Sequence, residues 1–229
     1  MKLMLALFAL LAAAALAPLA ANAQQGAAEG RLAQLYAARP PAGSAFVRVL
    51  NPGNAALEVG IGNGAAQRIG PATRATRYAI VEGGKPFALR VAGKARAQAQ
   101  VAAGSYTTLV LDAVAPSRPL AVLADGGGSS DALKAEIRFY NVASDCGQAR
   151  LTIADNGAVV FPAVAAGASG ARAINPVKAR LVAACGSKDS APLALPSLQP
   201  GDHYSLFLSG SGNAPVLQGQ LSGTDPVGR

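Results

Sequence analysis

The 229-residue chain contains no tryptophan, one histidine and two cysteines, and only 14% of its residues are charged. The scarcity of histidine and cysteine argues against a zinc site, because His203 is distant in sequence from both cysteines and three ligands cannot complete a tetrahedral shell. Carboxylates are few and scattered, so the paired acids of a glycosidase have no evident counterpart. These absences predict no metal site and no hydrolytic carboxylate pair.

Two other routes to catalysis also lack their motifs. A Ser-His-Asp arrangement would need His203 as its base, but its neighbour Asp202 would point to the opposite face of a strand, and no Gly-x-Ser-x-Gly elbow occurs. The glycine clusters 60–64 and 83–85 have neither the spacing of a dinucleotide fingerprint nor that of a P-loop. We therefore predict a protein without catalytic residues or a cofactor, in which His203 lies partly exposed at a strand edge.

An apolar run opens the chain. Lys2 precedes a nearly unbroken Leu/Ala stretch that ends at Ala21-Asn22-Ala23, a small-x-small site of the type that signal peptidase cleaves. A transmembrane anchor is the alternative, since the run is about as long as a spanning helix. The polar sequence that follows favours cleavage, so we expect a Sec signal peptide over 1–23, a segment over 24–41, and export to the periplasm as a soluble protein.

Both cysteines, Cys146 and Cys185, lie beyond the predicted cleavage site. Two cysteines in an oxidising compartment usually pair, which predicts a disulfide between them. On the chain-entropy model, closing a loop of this length would stabilise the fold by roughly 4 kcal/mol.

Short alternating runs separated by Gly, Pro and Asn dominate the sequence, and helical periodicity is poor. Predicted strands include 45–50, 87–91, 106–111, 136–140, 149–153 and 203–208. Asn63-Gly64 and Asn156-Gly157 predict tight hairpins, because such turns need residues that tolerate positive φ. Many short strands with turn signals about ten residues apart predict an all-β fold built of sandwiches.

The two halves of the chain repeat one pattern. Residues 46–51 match 136–141, which makes Arg48 equivalent to Arg138, and Tyr106 matches Tyr204 as a candidate tyrosine corner or sugar-stacking residue. A stretch rich in Gly and Ser separates the copies and has the composition of a flexible linker. We predict two tandem β-sandwiches, Ig-like or resembling carbohydrate-binding modules, over 42–124 and 134–229, with a linker over 125–133 and a C-terminal tail.

Basic residues supply a candidate interaction surface. Arg48 and Arg138 alternate with apolar residues, so both should face outward if those apolar residues face the cores. The net charge of +8 suits a polyanionic partner but does not choose one, and ordinary solvated charge is the competing interpretation. The candidate docking or polyanion-contacting residues are Arg48, Arg68, Arg74, Arg77, Arg90 and Arg138.

Particular motifs resemble a known family. Leu35-Tyr36, Pro40-Pro41 and the run 43–49 resemble the start of mature AlgF proteins, and 137–141 resembles their second half. The resemblance implies a non-catalytic periplasmic accessory protein required for O-acetylation of an exopolysaccharide. Implied partners are a membrane-bound O-acyltransferase and SGNH-type acetyltransferases, which carry the catalytic residues. The excess of positive charge makes an anionic polysaccharide a further candidate partner, and we expect no nucleic acid.

Alternatives to this accessory role stay open. The polymer could be alginate, acetylated cellulose or another glycan. A carbohydrate-binding or cell-surface interaction module is the second hypothesis, favoured by the sandwich repeat and the basic first half. An acyl carrier or transferase is a third, which predicts a covalent acetyl adduct on a serine or histidine.

Overall fold

The computed structural model describes residues 40–111, 120–126, 131 and 133–226. The predicted signal peptide over 1–23 and nearly all of the predicted 24–41 segment lie outside the described residues, as do 127–130 and 132 of the predicted linker. The described part contains β-strands and no α-helix, which confirms the all-β class. It also includes no helix long and apolar enough to cross a membrane.

The first half forms a sandwich of two four-stranded sheets. One sheet has the order β4-β1-β7-β8 and the other β3-β2-β5-β6. Their strands are β1 (Ser44–Leu50), β2 (Leu57–Ile61), β3 (Gln67–Ile69), β4 (Ala79–Glu82), β5 (Phe87–Val91), β6 (Lys94–Ala99), β7 (Tyr106–Val110) and β8 (Ala121–Ala124). An apolar cluster that includes Val47, Val59, Leu89 and Leu109 fills the space between the sheets.

The second half repeats this topology. Its sheets have the orders β12-β9-β16-β17 and β11-β10-β13-β14, with a short β15 paired to β13. The strands are β9 (Ala135–Asn141), β10 (Gln148–Ile153), β11 (Val159–Ala165), β12 (Ala168–Ile174), β13 (Arg180–Cys185), β14 (Lys188–Asp189), β15 (Leu193–Ala194), β16 (His203–Ser211) and β17 (Ala214–Leu221). β1 pairs in parallel with β7, and β9 pairs in parallel with β16. The internal repeat is therefore visible in the strand order.

The predicted disulfide is present. Cys146 and Cys185 are bonded, with their Cα atoms 5.6 Å apart. Cys185 ends β13 opposite Ala149 of β10, and both cysteines belong to the apolar core of the second sandwich. The bridge therefore closes the chain segment that contains β10 to β13.

The two sandwiches belong to one compact unit and pack against each other. Alternate residues of β1, such as Val47 and Val49, face the first core, whereas Leu50 joins Tyr140 and Phe207 of the second sandwich in a third apolar cluster. All seven residues of β9 are buried. β9 is buried on both faces because its outer face lies against the first sandwich.

Details of the predicted repeat need correction. The register places Tyr106 opposite Phe46 and Tyr204 opposite Ile137, so the two tyrosines occupy opposite faces of equivalent strands. Tyr106 is accordingly half-exposed while Tyr204 is buried. Asp125, which composition assigned to a flexible linker, is also buried, because its carboxylate is hydrogen-bonded between the sandwiches.

Candidate functional site

A cleft of about 450 Å³ lies where the two sandwiches meet, and we call it the junction cleft. Four of the five tyrosines in the chain line it, although aromatic residues make up only 5% of the sequence. The lining residues are Tyr78, Tyr106, Asp125, Gly126, Glu136, Arg138, Tyr140, His203, Tyr204, Ser205, Ser222, Gly223 and Thr224. Both sandwiches therefore contribute to the cleft, and it exists only when they are packed together.

Arg48 reaches from β1 across the junction beneath this cleft and is 1% exposed. Within the first sandwich its Nε donates to Thr108 Oγ1 at 2.8 Å. Across the junction its Nη2 donates to Tyr140 Oη at 2.5 Å and to Ser205 Oγ at 2.9 Å, and its Nη1 donates to Ser222 Oγ at 3.1 Å. One guanidinium thus connects two strands of one sandwich with three sites of the other.

Aromatic rings surround the Arg48 guanidinium. Its Cζ lies 4.7 Å from the ring centroid of Tyr78, 5.2 Å from that of Tyr140 and 5.5 Å from that of Phe207. Such cation–π contacts are strongest where water is excluded. Burial acts to lower the pKa of Arg48, but the neighbouring Tyr140, Tyr78 and Asp125 raise it, and the net direction is upward. Arg48 is therefore a permanent buried cation.

Asp125 supplies the compensating charge. Its carboxylate accepts hydrogen bonds from Tyr78 Oη at 2.7 Å, Tyr140 Oη at 2.7 Å and Thr108 Oγ1 at 2.5 Å, and its Oδ2 lies 4.0 Å from Arg48 Nε. Burial raises the pKa of Tyr140 to about 12 despite the opposing effect of Arg48. Burial likewise raises the pKa of Tyr78 far above its ordinary value. Both phenols therefore stay protonated and can donate to the carboxylate.

A second charged group forms one wall of the cleft. Arg138 Nη2 donates to Glu136 Oε1 and to the carbonyl oxygen of Gly126, each at 3.2 Å. His203 Nδ1 lies 3.7 Å from the same Glu136 oxygen, and its side chain is 59% exposed. The prediction that His203 is a partly exposed residue at the start of a strand is confirmed.

One aromatic ring of the cleft remains accessible. Tyr106 stacks on Phe46 with ring centroids 4.3 Å apart and planes 8° from parallel, and Tyr78 meets it edge-on at 5.3 Å. Tyr204 is instead packed over Gly219, where an added Cβ would lie 2.2 Å from the phenol oxygen. Neither the Tyr106 nor the Tyr204 hydroxyl hydrogen-bonds to a described residue, so neither forms the predicted tyrosine corner within the described part.

The segment after β17 crosses from the second sandwich to the first. Tyr78 N donates to Gly223 O and Asp225 N donates to Tyr78 O, each at 2.8 Å, which adds this segment as a short parallel bridge beside β4. Arg77 Nε pairs with Asp225 at 3.3 Å, and Gln67 Nε2 donates to the same carboxylate at 2.9 Å. The segment therefore connects the two sandwiches along one side of the cleft.

Two glutamines of β17 make further contacts across the junction. Gln220 Nε2 donates to Ala75 O at 2.8 Å while its Oε1 accepts from Ala75 N at 3.1 Å, so the amide pairs with the main chain as a strand would. Gln218 accepts from Arg74 Nε and donates to Pro71 O. These contacts satisfy polar groups that packing removes from water.

The six arginines of the predicted interaction surface lie in different environments. Arg48, Arg74 and Arg138 are buried, so the expectation that they face solvent is wrong. Arg48 and Arg138 are buried because the outer faces of their sheets form the junction. Arg74 lies between β3 and β4, outside any strand, and its guanidinium donates to Gln218 and to the carbonyl oxygen of Gly53. Arg68 is exposed on β3. Arg77 pairs with Asp225, and Arg90 lies over Gly60 and donates to Gly62 O, outside the cleft. The six arginines therefore do not form one surface.

Sequence reasoning missed Tyr78, Asp125, Glu136 and Tyr140 as members of a site. A partial signal existed in β9, where Glu136, Arg138 and Tyr140 occupy alternate positions of a strand whose intervening residues are apolar. Tyr78 and Asp125 carry no comparable pattern. Their selection depends on contacts across the junction.

The geometry of the cleft is suited to binding. The Ser205 and Ser222 hydroxyls lie 2.9 Å apart and both accept from Arg48. No described serine, threonine or cysteine side chain hydrogen-bonds to His203, and the described residues contain no group of three His, Cys, Asp or Glu side chains that could hold a metal ion. The groups available to a ligand in the cleft are the Tyr106 ring, the Arg138 guanidinium and the His203 imidazole.

Comparison with known proteins gives a consistent set of relatives. A family model described as "Alginate O-acetyl transferase AlgF" matches residues 13–205. The chain is similar to "Alginate biosynthesis protein AlgF" of Pseudomonas putida, with 31% identity over 81% of this chain and 82% of the relative. The same-named protein of Pseudomonas aeruginosa is 31% identical over 87% of this chain and 86% of its own. That of Azotobacter vinelandii is 30% identical, with 79% of each covered.

Two solved structures also align with the chain. The C-terminal domain of AlgF from Pseudomonas aeruginosa is 30% identical, with a TM-score of 0.35 and coverage of 39% of this chain and 98% of that domain. The CBM26 module CBMbc of Eubacterium rectale Amy13K, in complex with maltoheptaose, is 7% identical, with a TM-score of 0.26 and coverage of 80% and 98%. At these TM-scores neither likeness bears on the function of the cleft.

Proposed function

The chain belongs to the AlgF family, and on that premise we propose that it is a non-catalytic accessory protein for O-acetylation of an exopolysaccharide, with alginate as the polymer. It acts as an adaptor that holds acetylation enzymes through protein–protein contacts. The observation that carries this proposal is the junction itself, which gives two sandwiches one shared surface. A fixed surface suits an adaptor, because little conformational freedom is lost when a partner binds.

The arrangement of hydroxyl groups supports a non-catalytic role. A serine nucleophile needs a base within hydrogen-bond reach, as in acyl-transfer enzymes. Ser205 and Ser222 instead accept hydrogen bonds from the Arg48 cation, which cannot take up a proton. His203, the one histidine in the chain, faces the Glu136 carboxylate. The acetyl-transfer chemistry would then belong to the partner enzymes.

The proposed partners are SGNH-type periplasmic acetyltransferases and a membrane-bound O-acyltransferase, and the proposed location is the periplasm. The Cys146–Cys185 disulfide supports an oxidising compartment. The Leu/Ala-rich start of the sequence with its small-x-small site supports export.

The deciding experiment measures ester-linked acetate on the polysaccharide secreted by a strain that lacks this gene. We expect the polymer to be exported without acetate, and acetate to return with the wild-type gene. Unchanged acetate would refute the accessory role. Crosslinking and co-purification with the acetyltransferases then tests the adaptor mechanism, since an accessory without partner contacts would leave them uncaptured.

A carbohydrate-binding module is the second candidate, favoured by the half-exposed Tyr106 ring that stacks on Phe46. Sugar rings pack well on such aromatic faces. Titration of the purified protein with acidic oligosaccharides separates the two candidates. Saturable binding that weakens with added salt favours the module, and no binding favours the adaptor.

A further inference from the structure

Arg138 presents unpaired hydrogen-bond donors to the junction cleft. Its side chain is only 9% exposed, and its Nη2 is engaged by Glu136 and the Gly126 carbonyl. Its Nε and Nη1 have no hydrogen-bond partner among the described residues. Within the described part, Asn141 Oδ1 is the one side-chain polar atom that is both fully buried and without a hydrogen-bond partner. The Arg138 Nε and Nη1 atoms lack partners but are not among the fully buried atoms, so they are accessible to solvent. The space they reach is the cleft that Arg138 lines.

His203 extends this set of donors. In the parallel pair of β9 and β16, His203 lies opposite Glu136 and Ser205 lies opposite Arg138. His203 and Arg138 are therefore diagonal neighbours on one face, and both approach the same Glu136 oxygen, at 3.7 and 3.2 Å, so one ligand group can reach both side chains. The carboxylates of Glu136 and Asp125 are already held by the protein. The polar groups left for a ligand are mainly donors.

A carboxylate is the acceptor that best matches these donors. Charge-assisted hydrogen bonds from a guanidinium to a carboxylate are about twice as strong as neutral ones. The accessible Tyr106 ring can pack against the methylene groups that link the carboxylate of an acidic side chain to its main chain. A polyuronate would bring several carboxylates close to the negative charges of Glu136 and Asp125, whereas an aspartate or glutamate side chain brings only one, so repulsion between like charges disfavours the polyuronate.

We propose that the junction cleft is a docking site for one aspartate or glutamate side chain of a partner protein, recognised by Arg138 and His203 beside Tyr106. The inference rests on the proposed adaptor function and adds the place and the chemistry of the contact. It also gives the junction a purpose, because neither sandwich alone would hold Arg138 beside Tyr106.

The single histidine makes the test direct. The imidazole proton resonances of His203 need no assignment strategy, and they report on cleft occupancy. The probe is the capped tripeptide Ac-Ala-Glu-Ala-NH2, titrated across the millimolar range, with Ac-Ala-Gln-Ala-NH2 as its neutral isostere. We expect a saturable shift of the His203 resonances with the glutamate peptide and roughly tenfold weaker binding of the glutamine peptide.

Variants connect the shift to Arg138. The double variant Arg138→Met/Glu136→Gln keeps the local charge balance and should abolish the shift. Arg68→Met removes an exposed arginine outside the cleft and should leave the shift unchanged. A dispersed amide spectrum checks that each variant is folded.

Three results overturn the inference. Equal shifts with both peptides, or none with either, mean that the cleft does not recognise a carboxylate. Saturable binding of a uronate trisaccharide without binding of the glutamate peptide means that the occupant is a sugar. The acetate content of the gene-deletion strain decides the accessory role independently of all these outcomes.

Discussion

Replacing Arg48 with methionine provides the sharpest test of how the two sandwiches are joined. Methionine retains most of the aliphatic volume but removes four hydrogen bonds, to Thr108, Ser222, Tyr140 and Ser205. It also leaves the buried Asp125 carboxylate without its nearby cation. Removing one partner of a buried ion pair typically costs about 3–5 kcal/mol.

We expect Arg48→Met to fall within that range and not above it. Asp125 keeps three hydroxyl donors after the substitution, and these continue to offset part of its desolvation cost. The free energy of unfolding is measured by urea denaturation followed by far-UV circular dichroism, because the chain has no tryptophan to report by fluorescence.

A double-mutant cycle separates the ion pair from general packing. Asp125→Asn should also destabilise, but Arg48→Met/Asp125→Asn should cost less than the sum of the single changes by at least about 1 kcal/mol. Arg68→Met, on the exposed face of β3, serves as the matched control and should stay within about 0.5 kcal/mol of wild type. If Arg48→Met changes the free energy of unfolding as little as Arg68→Met does, then Arg48 does not stabilise the junction.

Three further predictions concern the disulfide, a closely packed glycine and a buried tyrosine. Replacing Cys146 and Cys185 with alanine should lower the free energy of unfolding by about 4 kcal/mol, measured by urea denaturation, because the open chain gains entropy. Gly83→Ala should lower the free energy of unfolding by about 1–3 kcal/mol, because the added Cβ would overlap the main chain of Ala103. Because the pKa of Tyr140 is raised from 10.0 to about 12, its protonated phenol should stabilise the fold fully below about pH 10. This stabilisation should be lost as the pH rises to about 12. Absorbance at the phenolate band and circular dichroism, recorded together, follow that loss.

Each of these predictions has a control and a contradicting result. Reduction of the wild-type protein should reproduce the cysteine variant, and equal stability of oxidised and reduced forms would contradict the disulfide argument. Gly147→Ala, where an added Cβ meets nothing within 4 Å, should be mild, and equal effects at Gly83 and Gly147 would contradict the packing argument. Complete ionisation of all tyrosines near pH 10 in a folded protein would show that Tyr140 is not shielded.

Local patterns in the sequence correctly predicted the all-β fold class. Alternation in runs such as 45–50 and 136–140 reflects strands with one face in a core, and this periodicity needs no knowledge of the rest of the chain. The repeat of 46–51 in 136–141 reappears as matching strand orders. The disulfide followed from having two cysteines beyond a predicted signal peptide, since no other pairing was available.

The same alternation misplaced the arginines. It distinguishes the core face of β1 from the opposite face, but it does not say whether the opposite face meets water or another sheet. Arg48 and Arg138 lie on such opposite faces, and the packing of the sandwiches buries both. The equivalence of Tyr106 and Tyr204 failed for a related reason, because a one-residue slip in a strand moves a side chain to the other face.

The sequence by itself thus determined the all-β class, the internal repeat and the cysteine pairing, because each depends on local periodicity or on a count. Only the tertiary structure decided that Asp125 and Tyr78 meet Arg48, and that four tyrosines converge on one cleft. Contacts between residues as far apart as Arg48 and Ser222 depend on how two sheets face each other. That orientation arises from the sum of many weak contacts across the junction, and no short motif encodes it.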